Sequence, residues 1–390
     1  MTSTRRSEFL PFHRPSIGEG EISEVVDTLK SGWLTMGPKT HRFEEQFAEY
    51  VGARHAVAVA SCTAALHLVY AALDIGPGDE VITTPYTFTA TVATILYAGA
   101  TPVLVDTLAD NPNIDPEAVA ARIGPRTKAI VPVHFAGAAC DMDRLGELAA
   151  QSNAALIEDA AHALPTTYKG RKVGSIGKAT CFSFYAGKNL TTGEGGAITT
   201  DDADLAAALR IRRLHGISRD AWKRYTAEGS WYYEVEALGF KYNMTDINAA
   251  IGLHQLARLD DLQRKRGRII ELYQQALAGV PGIILPKAPA DGESAWHLFV
   301  IRIDPERLAV SRNDVIEMLK ADNIGTSVHF IPAHLHPLYQ QRLGVTRESF
   351  PNATRLYDAS ISLPLFPDMA EQDVADVAAS LSRIARENLR

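Results

Sequence analysis

Short, β-branched apolar runs alternate with helical stretches through the first two thirds of the chain, and this alternation constrains the fold more than any other feature. The predicted strands are Ala56–Ser61, Glu80–Thr84, Thr101–Asp106, Lys128–His134, Ala155–Asp159, Ala179–Phe184 and Ala197–Thr200. Most are almost continuously apolar, as strands buried on both faces must be. Helical patterns over Thr63–Leu73, Thr89–Ala98, Pro116–Ile123 and Met142–Gln151 separate most of them. The alternation predicts an α/β domain on a mainly parallel, seven-stranded sheet.

The pattern changes near Thr245. From Asp246 to Ala276 there is no proline, and Ala249, Leu253, Leu256, Leu259 and Leu262 recur at helical spacing. This predicts one long helix, or two in succession. Beyond Gly279-Val-Pro-Gly282 a smaller α+β pattern follows, with strands over His297–Ile303 and Gly325–His329 and helices over Arg312–Ala321 and Glu371–Glu387. The expected organisation is a large domain over 12–250, then a connecting helix and small C-terminal domain over 251–390. No internal repeat or low-complexity linker separates them.

Composition narrows the function. The 390 residues carry 39 Lys and Arg against 46 Asp and Glu, a formal charge of −7. A weakly acidic chain lacks the basic face that nucleic-acid binding needs. No apolar run approaches the ~18 residues of a membrane helix, so no membrane insertion is expected. The polar start, Met1 to Arg6, leads to no signal-peptide core. Cys62, Cys140 and Cys181 are widely spaced with no CxxC pair. They argue against a disulfide framework or structural zinc and fit a reduced cytoplasm.

Ligand sites in open α/β sheets lie at the carboxyl ends of the strands. Asp159 closes Ala155-Leu-Ile-Glu-Asp159, and Lys188 follows Cys181-Phe-Ser-Phe-Tyr185 and precedes the glycine turn Gly193-Glu-Gly-Gly196. On spacing alone this pair reads first as a salt bridge at the sheet edge. It also has the chemistry of a pyridoxal phosphate site: an amine for the aldehyde, a carboxylate for the pyridine nitrogen. Ser61-Cys-Thr-Ala-Ala65 opens the first helix, where free backbone amides could seat a phosphate or where Ser61 and Thr63 could simply cap. Gly18-Glu-Gly20 lacks the third glycine of a dinucleotide fingerprint, and no Ser or Thr follows Gly187-Lys188, so neither stretch is a nucleotide motif. His329, His334 and His336 cluster without a carboxylate at ligand spacing, so no metal site is expected.

Several stretches taken together resemble the DegT/StrS family of nucleotide-sugar aminotransferases, from about Pro15 to about Asp368. They are Gly32-Trp-Leu-Thr35 with Gly37-Pro-Lys39, Gly78-Asp-Glu-Val-Ile82, Pro85-Tyr-Thr-Phe88, Glu158-Asp-Ala-Ala-His162, Ser183-Phe-Tyr-Ala-Gly-Lys-Asn189, Gly193-Glu-Gly-Gly196, Lys241-Tyr-Asn-Met-Thr-Asp246 and Ser362-Leu-Pro-Leu365. The resemblance implies the aspartate-aminotransferase type of fold (fold type I) and pyridoxal 5'-phosphate as cofactor. It implies that Lys188 holds the aldehyde and Asp159 the pyridine nitrogen, that Phe88 stacks on the ring, and that Ser183 with the amides of Cys62 and Thr63 seats the phosphate. His162 would contact the phenolic oxygen, or be a buried, hydrogen-bonded histidine. Asn243 would reach the phosphate from the neighbouring subunit, making a homodimer with composite sites. His329 would lie near the sugar, and Lys241 and Arg224 are candidates for the substrate's diphosphate.

The implied reaction moves an amino group from an amino acid, glutamate in this reading, to a nucleotide-linked keto sugar. Trp33-Leu-Thr35, Phe240–Asn248, Ala295-Trp-His-Leu298 and Leu363–Asp368 resemble UDP-4-amino-4-deoxy-L-arabinose aminotransferases. Val328–Pro332 and Leu335-His-Pro337 resemble enzymes acting on UDP-4-keto-6-deoxy-N-acetylhexosamines. Both groups aminate C4 of a UDP-sugar. The alternatives are a C3-keto enzyme, a dehydratase of the kind in which histidine replaces the lysine, and a non-catalytic sensor. Lys188 argues against the dehydratase, and Lys188 with Asp159 against the sensor.

Overall fold

The computed structural model describes residues 6–217 and 232–390. Seven strands form the main sheet: β1 His55–Val59, β2 Glu80–Thr83, β3 Thr101–Leu104, β4 Thr127–Val131, β5 Ala155–Asp159, β6 Ala179–Ser183 and β7 Gly196–Thr200. Their spatial order is β1-β7-β6-β5-β4-β2-β3. Parallel pairing joins β3 to β2, β2 to β4, β4 to β5 and β5 to β6. Only β7 runs against its neighbours, β1 and β6. The chain reverses between Ser183 and Gly196, which pair directly, without the crossover helix that a parallel partner would need. Lys188 lies in that reversal. The mainly parallel α/β sheet expected from the sequence is the observed one.

Helices cover the sheet and complete its core. Cys62–Ala72 buries Ala65, Leu66, Leu68 and Val69 in one cluster with Val57, Val59, Ile157 and Ile198. Met142–Ser152 buries Leu145 and Leu148 beside Ile130 and Leu156. The helix that starts at Pro116 ends at Ala120, short of its predicted length.

The helical stretch after Thr245 is two helices, Asp246–Ala257 and Leu259–Ala276, with Arg258 at φ −112°, ψ 9° between them. The Arg258 Nη2 group donates to the carbonyl of Ser16 at 2.7 Å and to its hydroxyl at 2.8 Å. The break thus coincides with an anchor on the N-terminal segment. Asp246 is buried at the head of the first helix. Its carboxylate accepts from the amides of Gly37 (2.8 Å), Lys39 (3.0 Å) and Thr40 (2.9 Å) and from the Thr40 hydroxyl (2.6 Å). It caps the helix Pro38–Val51 from a distant segment, where free amides and the helix dipole both favour an anion.

The second sheet is antiparallel: β8 Ile283–Ile284, β9 Phe299–Ile303 and β10 Ser360–Leu363, with β9 in the middle. Phe299, Ile301, Ile361 and Leu363 share a core with Tyr273 of the long helix and with Val377 and Leu381 of the helix Glu371–Glu387. Leu10 of the N-terminal segment enters the same core. The strand predicted over Gly325–His329 is not formed. Ile324 makes a single bridge to Leu10 and Ser327 one to Ser362. β10 takes the edge of β9, and the run at 325–329 meets the outer edge of β10 at Ser327 alone, a single bridge and not a ladder. It passes along the small sheet as irregular chain and delivers His329 and Phe330, joined by a cis peptide bond, to the cleft between the two sheets.

Candidate active site

A cavity of about 700 Å³ opens at the carboxyl edge of the main sheet. Its floor comes from the ends of β1, β5 and β6 and its opposite wall from Phe12, His13, His297, His329 and Phe330. Ser61 caps the helix Cys62–Ala72, its side chain accepting from the amide of Ala64 at 3.0 Å. The capping role of Ser61 is therefore real. The amides of Cys62 and Thr63 open the first turn, where a helix offers no carbonyl to bond them. Gly196 lets β7 pass close by: a Cβ there would lie 2.7 Å from the nitrogen of Cys62. Ser183 lines the cavity beside them. Two amides and a hydroxyl at a helix N-terminus make a fitting seat for a dianion.

Asp159 is 5 % exposed, and its carboxyl faces the cavity. The Thr91 hydroxyl donates to Oδ2 at 2.7 Å and the Ala161 amide to Oδ1 at 3.1 Å. Burial nevertheless pushes its pKa up, against the pull of those two donors and of Lys188. A buried acid in this condition is short of a cation, and a protonated pyridine nitrogen would supply one. Lys188 is held by its own turn, its amide donating to the carbonyl of Tyr185 at 2.9 Å. Burial brings its pKa down to about 8, opposed by the nearby Cys62 and Asp159 side chains. A substantial share of the amine is therefore neutral near physiological pH, as a nucleophile for an aldehyde must be. Phe88 is 56 % exposed although its ring lines the cavity. It touches Phe330 at 5.6 Å between centroids. This donor set fits pyridoxal phosphate.

His162 is buried and accepts from the amide of Ala136 through Nδ1 at 3.3 Å. Its proton is thus on Nε2, and burial and the charge of Lys188 keep the ring neutral. A neutral Nε2–H donor is what a phenolic oxygen requires. His329 also lines the cavity, with Nδ1 2.9 Å from the hydroxyl of Ser362, and burial lowers its pKa to about 4.

Two predicted residues, Asn243 and Lys241, lie elsewhere. Asn243 bridges Val59 at the end of β1; its Oδ1 accepts from Lys241 Nζ at 2.6 Å and its Nδ2 donates to the carbonyl of Met244 at 3.1 Å. Neither Asn243 nor Lys241 lines this chain's cavity. Arg224 falls outside the described residues. His334 turns inward to the hydroxyl of Thr354 at 2.8 Å, and His336 is 3.2 Å from the carbonyl of Ile331. Among the described residues no group of three His, Cys, Asp or Glu side chains could hold a metal ion, and no helix is long and apolar enough to cross a membrane.

Sequence reasoning misses Thr91, His13 and His297. Thr91 is a threonine in the first turn of the helix Thr89–Tyr97, a residue type with no signal of its own. His13 sits 3.3 Å from the carbonyl of Ala186, a contact between segments far apart in the chain. His297 stands within a recognised motif, Ala295-Trp-His-Leu298, which assigns it no role.

Residues 15–382 match the model of the DegT/DnrJ/EryC1/StrS aminotransferase family. The chain is 54 % identical over 383 residues to the spore coat polysaccharide biosynthesis protein SpsC of Bacillus subtilis, covering 98 % of each. Among solved structures it is similar to the putative sugar aminotransferase Spr1654 of Streptococcus pneumoniae in its PMP form. The TM-score is 0.91 at 35 % identity, over 97 % of this chain and 99 % of that one. It is also similar to Helicobacter pylori PseC, an aminotransferase involved in the biosynthesis of pseudoaminic acid. There the TM-score is 0.90 at 30 % identity, over 98 % of this chain and 100 % of that one.

Proposed function

The chain belongs to the DegT/DnrJ/EryC1/StrS family and is a pyridoxal-phosphate-dependent sugar aminotransferase; from that premise we propose that it carries the amino group of glutamate to C4 of a UDP-linked 4-keto sugar. The observation that carries the reading is the meeting of Lys188, Asp159 and the helix N-terminus at Cys62 around one cavity. When bound, the cofactor supplies an aldehyde that takes up the amine and a protonated ring that draws electrons from the neighbouring carbon. Asp159 holds the proton of that ring. Lys188 would hold the cofactor through its Nζ, and that amine, when free, would take the proton from the donor's α-carbon as a base and give it back as an acid. The same amine would move the proton in the opposite sense at C4 of the sugar. His162 orients through its Nε2–H, and Phe88 and Phe330 keep water from the face they cover.

The sugar diphosphate needs cations at the mouth of the cleft, and Lys241 and Arg224 are proposed for that part. Asn243 is proposed to serve the phosphate seat of a second copy of the chain, so that a homodimer shares two composite sites. Its place outside its own chain's cavity lining supports that reading. Cytoplasmic action is proposed on the three free, buried thiols and on a nucleotide-linked substrate. The likeness to the spore coat polysaccharide protein supports a role in making a surface polysaccharide.

The test is spectral. Glutamate should bleach the cofactor's visible band, and a UDP-4-keto sugar should restore it in a single turnover. A UDP-4-keto-pentose lacks the methyl that a UDP-4-keto-6-deoxy-N-acetylhexosamine carries at C5. A methylene-sized group in an apolar pocket is worth ~1–3 kcal/mol, so a preference of roughly 10- to 200-fold is expected from that methyl. Faster restoration by a matched C3-keto sugar than by either would overturn the C4 assignment.

A further inference from the structure

Two threonine hydroxyls and a carboxyl form a buried chain at the cavity floor. Thr87 Oγ1 lies 2.7 Å from Thr91 Oγ1, and Thr91 Oγ1 donates to Asp159 Oδ2 at 2.7 Å. Both threonines are buried, and both line the same cavity as Asp159. The end of the chain fixes its direction. An ionised carboxylate only accepts, and a hydroxyl has one proton to give. Thr91 gives its proton to Asp159, so in the contact between the two threonines Thr87 donates and Thr91 accepts. Each bond in such a chain polarises the next. Protonation of Oδ2 reverses the order, because Thr91 must then accept from the acid and turn its own proton to Thr87, and the Thr87 proton loses its acceptor.

The carboxyl has one other donor, the Ala161 amide, which reaches Oδ1 at 3.1 Å. Among the described residues no further group donates to either oxygen. Thr91 lies in the first turn of the helix Thr89–Tyr97, where the helix dipole also favours an anion. Phe88 is the N-cap of that helix, so one turn of chain carries both the exposed ring and the hydroxyl that holds the acid. Resting on the reading of Asp159 as the partner of the pyridine nitrogen, we propose that Thr91 is a positioning residue for that contact: its hydroxyl, backed by Thr87, orients the Asp159 carboxyl, favours its ionised form and so keeps a proton on the ring nitrogen when the cofactor is bound.

Other groups act on the same carboxyl. Burial opposes its charge, while Lys188 from the reversal after β6 and His134 from the segment after β4 favour it. Cys62 and Tyr70 of the helix Cys62–Ala72 and Cys181 of β6 also lie near enough to feel it. Burial above all holds these three protonated and neutral. Of the groups that favour the anion, Thr91 and Ala161 act by direct hydrogen bonds, and of those two only Thr91 acts through a side chain.

The test starts from the full chain without cofactor. Aspartate labelled with ¹³C at the side-chain carboxyl is followed by NMR against pH, the Asp159 signal being the one missing from Asp159→Asn. Thr91→Val keeps the shape and removes the hydroxyl. It should raise the Asp159 midpoint by about one unit or more, the scale of a hydrogen bond to a charged group. Thr87→Val should raise it by less. Thr91→Ser returns the hydroxyl and should bring the midpoint back toward wild type. An unmoved midpoint in either valine variant overturns the proposal, and so does an equal rise in Thr91→Val and Thr91→Ser, which would mean lost packing. If Thr91→Val does not fold, the Thr91 hydroxyl proton of the wild-type chain decides. A slowly exchanging signal that shifts as Asp159 titrates supports the proposal, and one that does not shift overturns it. In the loaded enzyme, the ¹⁵N shift of a labelled pyridine nitrogen should move toward the unprotonated value in Thr91→Val, and further in Asp159→Asn. A shift unchanged in Asp159→Asn sinks the ring-nitrogen reading itself. A shift that changes in Asp159→Asn and not in Thr91→Val sinks the role of Thr91 alone.

Discussion

The two walls of the cleft are built on different principles. On the sheet wall, Asp159 and Ser183 end their strands, Lys188 stands in the reversal that follows β6, and Cys62 and Thr63 open the helix after β1. The wall opposite gathers His13 from the N-terminal segment, His297 from the approach to β9 and His329 from the irregular chain beyond Ile324. The first wall presents charge and free amides from a rigid edge. The second presents neutral rings, held in place by hydrogen bonds to distant partners. Chemistry that must act on a fixed atom sits where the backbone is over-determined. Recognition sits where a change of segment can alter it without disturbing the sheet.

Breaking the sheet wall should have the largest effect. Lys188→Ala should fold and lose both the visible band and all turnover, and an unchanged band in that variant would falsify the assignment. Asp159→Asn keeps the shape and removes the charge. A loss of roughly 10²-fold or more in rate is expected, each 1.4 kcal/mol being about tenfold, and transamination at the wild-type rate would rule out the ring-nitrogen role.

A mixed dimer of Lys188→Ala with Asn243→Ala probes whether the sheet wall is shared between copies. One of its sites would carry both defects and the other neither. Activity up to about half that of the wild-type dimer should reappear on mixing two inactive variants. No recovery in verified mixed dimers would return Asn243 to its own chain's site.

The smallest effect separates the two walls by pH. His13 and His329 hold pKa values of about 4, and His162 and His297 lie well below the ordinary 6.5, burial being the main cause. The unfolded chain therefore binds more protons below about pH 6.5, and stability should fall from there toward the folded values. Each ring contributes at most about 1.4 kcal/mol per pH unit. Asp159 has the opposite sign: its raised pKa means that the folded form takes its proton first as pH falls, which stabilises. Buried His134, whose pKa is raised to about 10 against its burial by Cys140 and Glu158, shares that sign; the four rings outnumber these two groups, so the melting temperature should drop between about pH 7.5 and about pH 5. His329→Asn should flatten that slope. A wild-type melting temperature unmoved over the interval would show that these rings are not held neutral.

Legibility in the sequence divides along the same line. The sheet is readable because burial on both faces writes itself into each strand separately, and the reversal at Lys188 is readable from its glycines. Thr91 is not, because its hydroxyl matters only through the 2.7 Å contact with Asp159, which the packing of a helix onto the sheet creates. The run at 325–329 has strand composition and no strand, because a strand needs a run of paired residues and only Ser327 pairs, with Ser362 on the outer edge of β10. Arg258 reads as one more helical residue until Ser16 binds its side chain.

Local order therefore comes from the sequence alone: the alternation of strand and helix, the positions of Asp159 and Lys188 just past strand ends, and the helix start at Cys62. These depend on periodicity and turn chemistry within a few residues. Tertiary structure decided which histidines share the cavity with Lys188, which nitrogen of His162 carries the proton, and which segments close the cleft. Those outcomes depend on donors and acceptors far apart in the chain. A hydrogen bond sets a tautomer only once both its ends have been brought within about 3 Å.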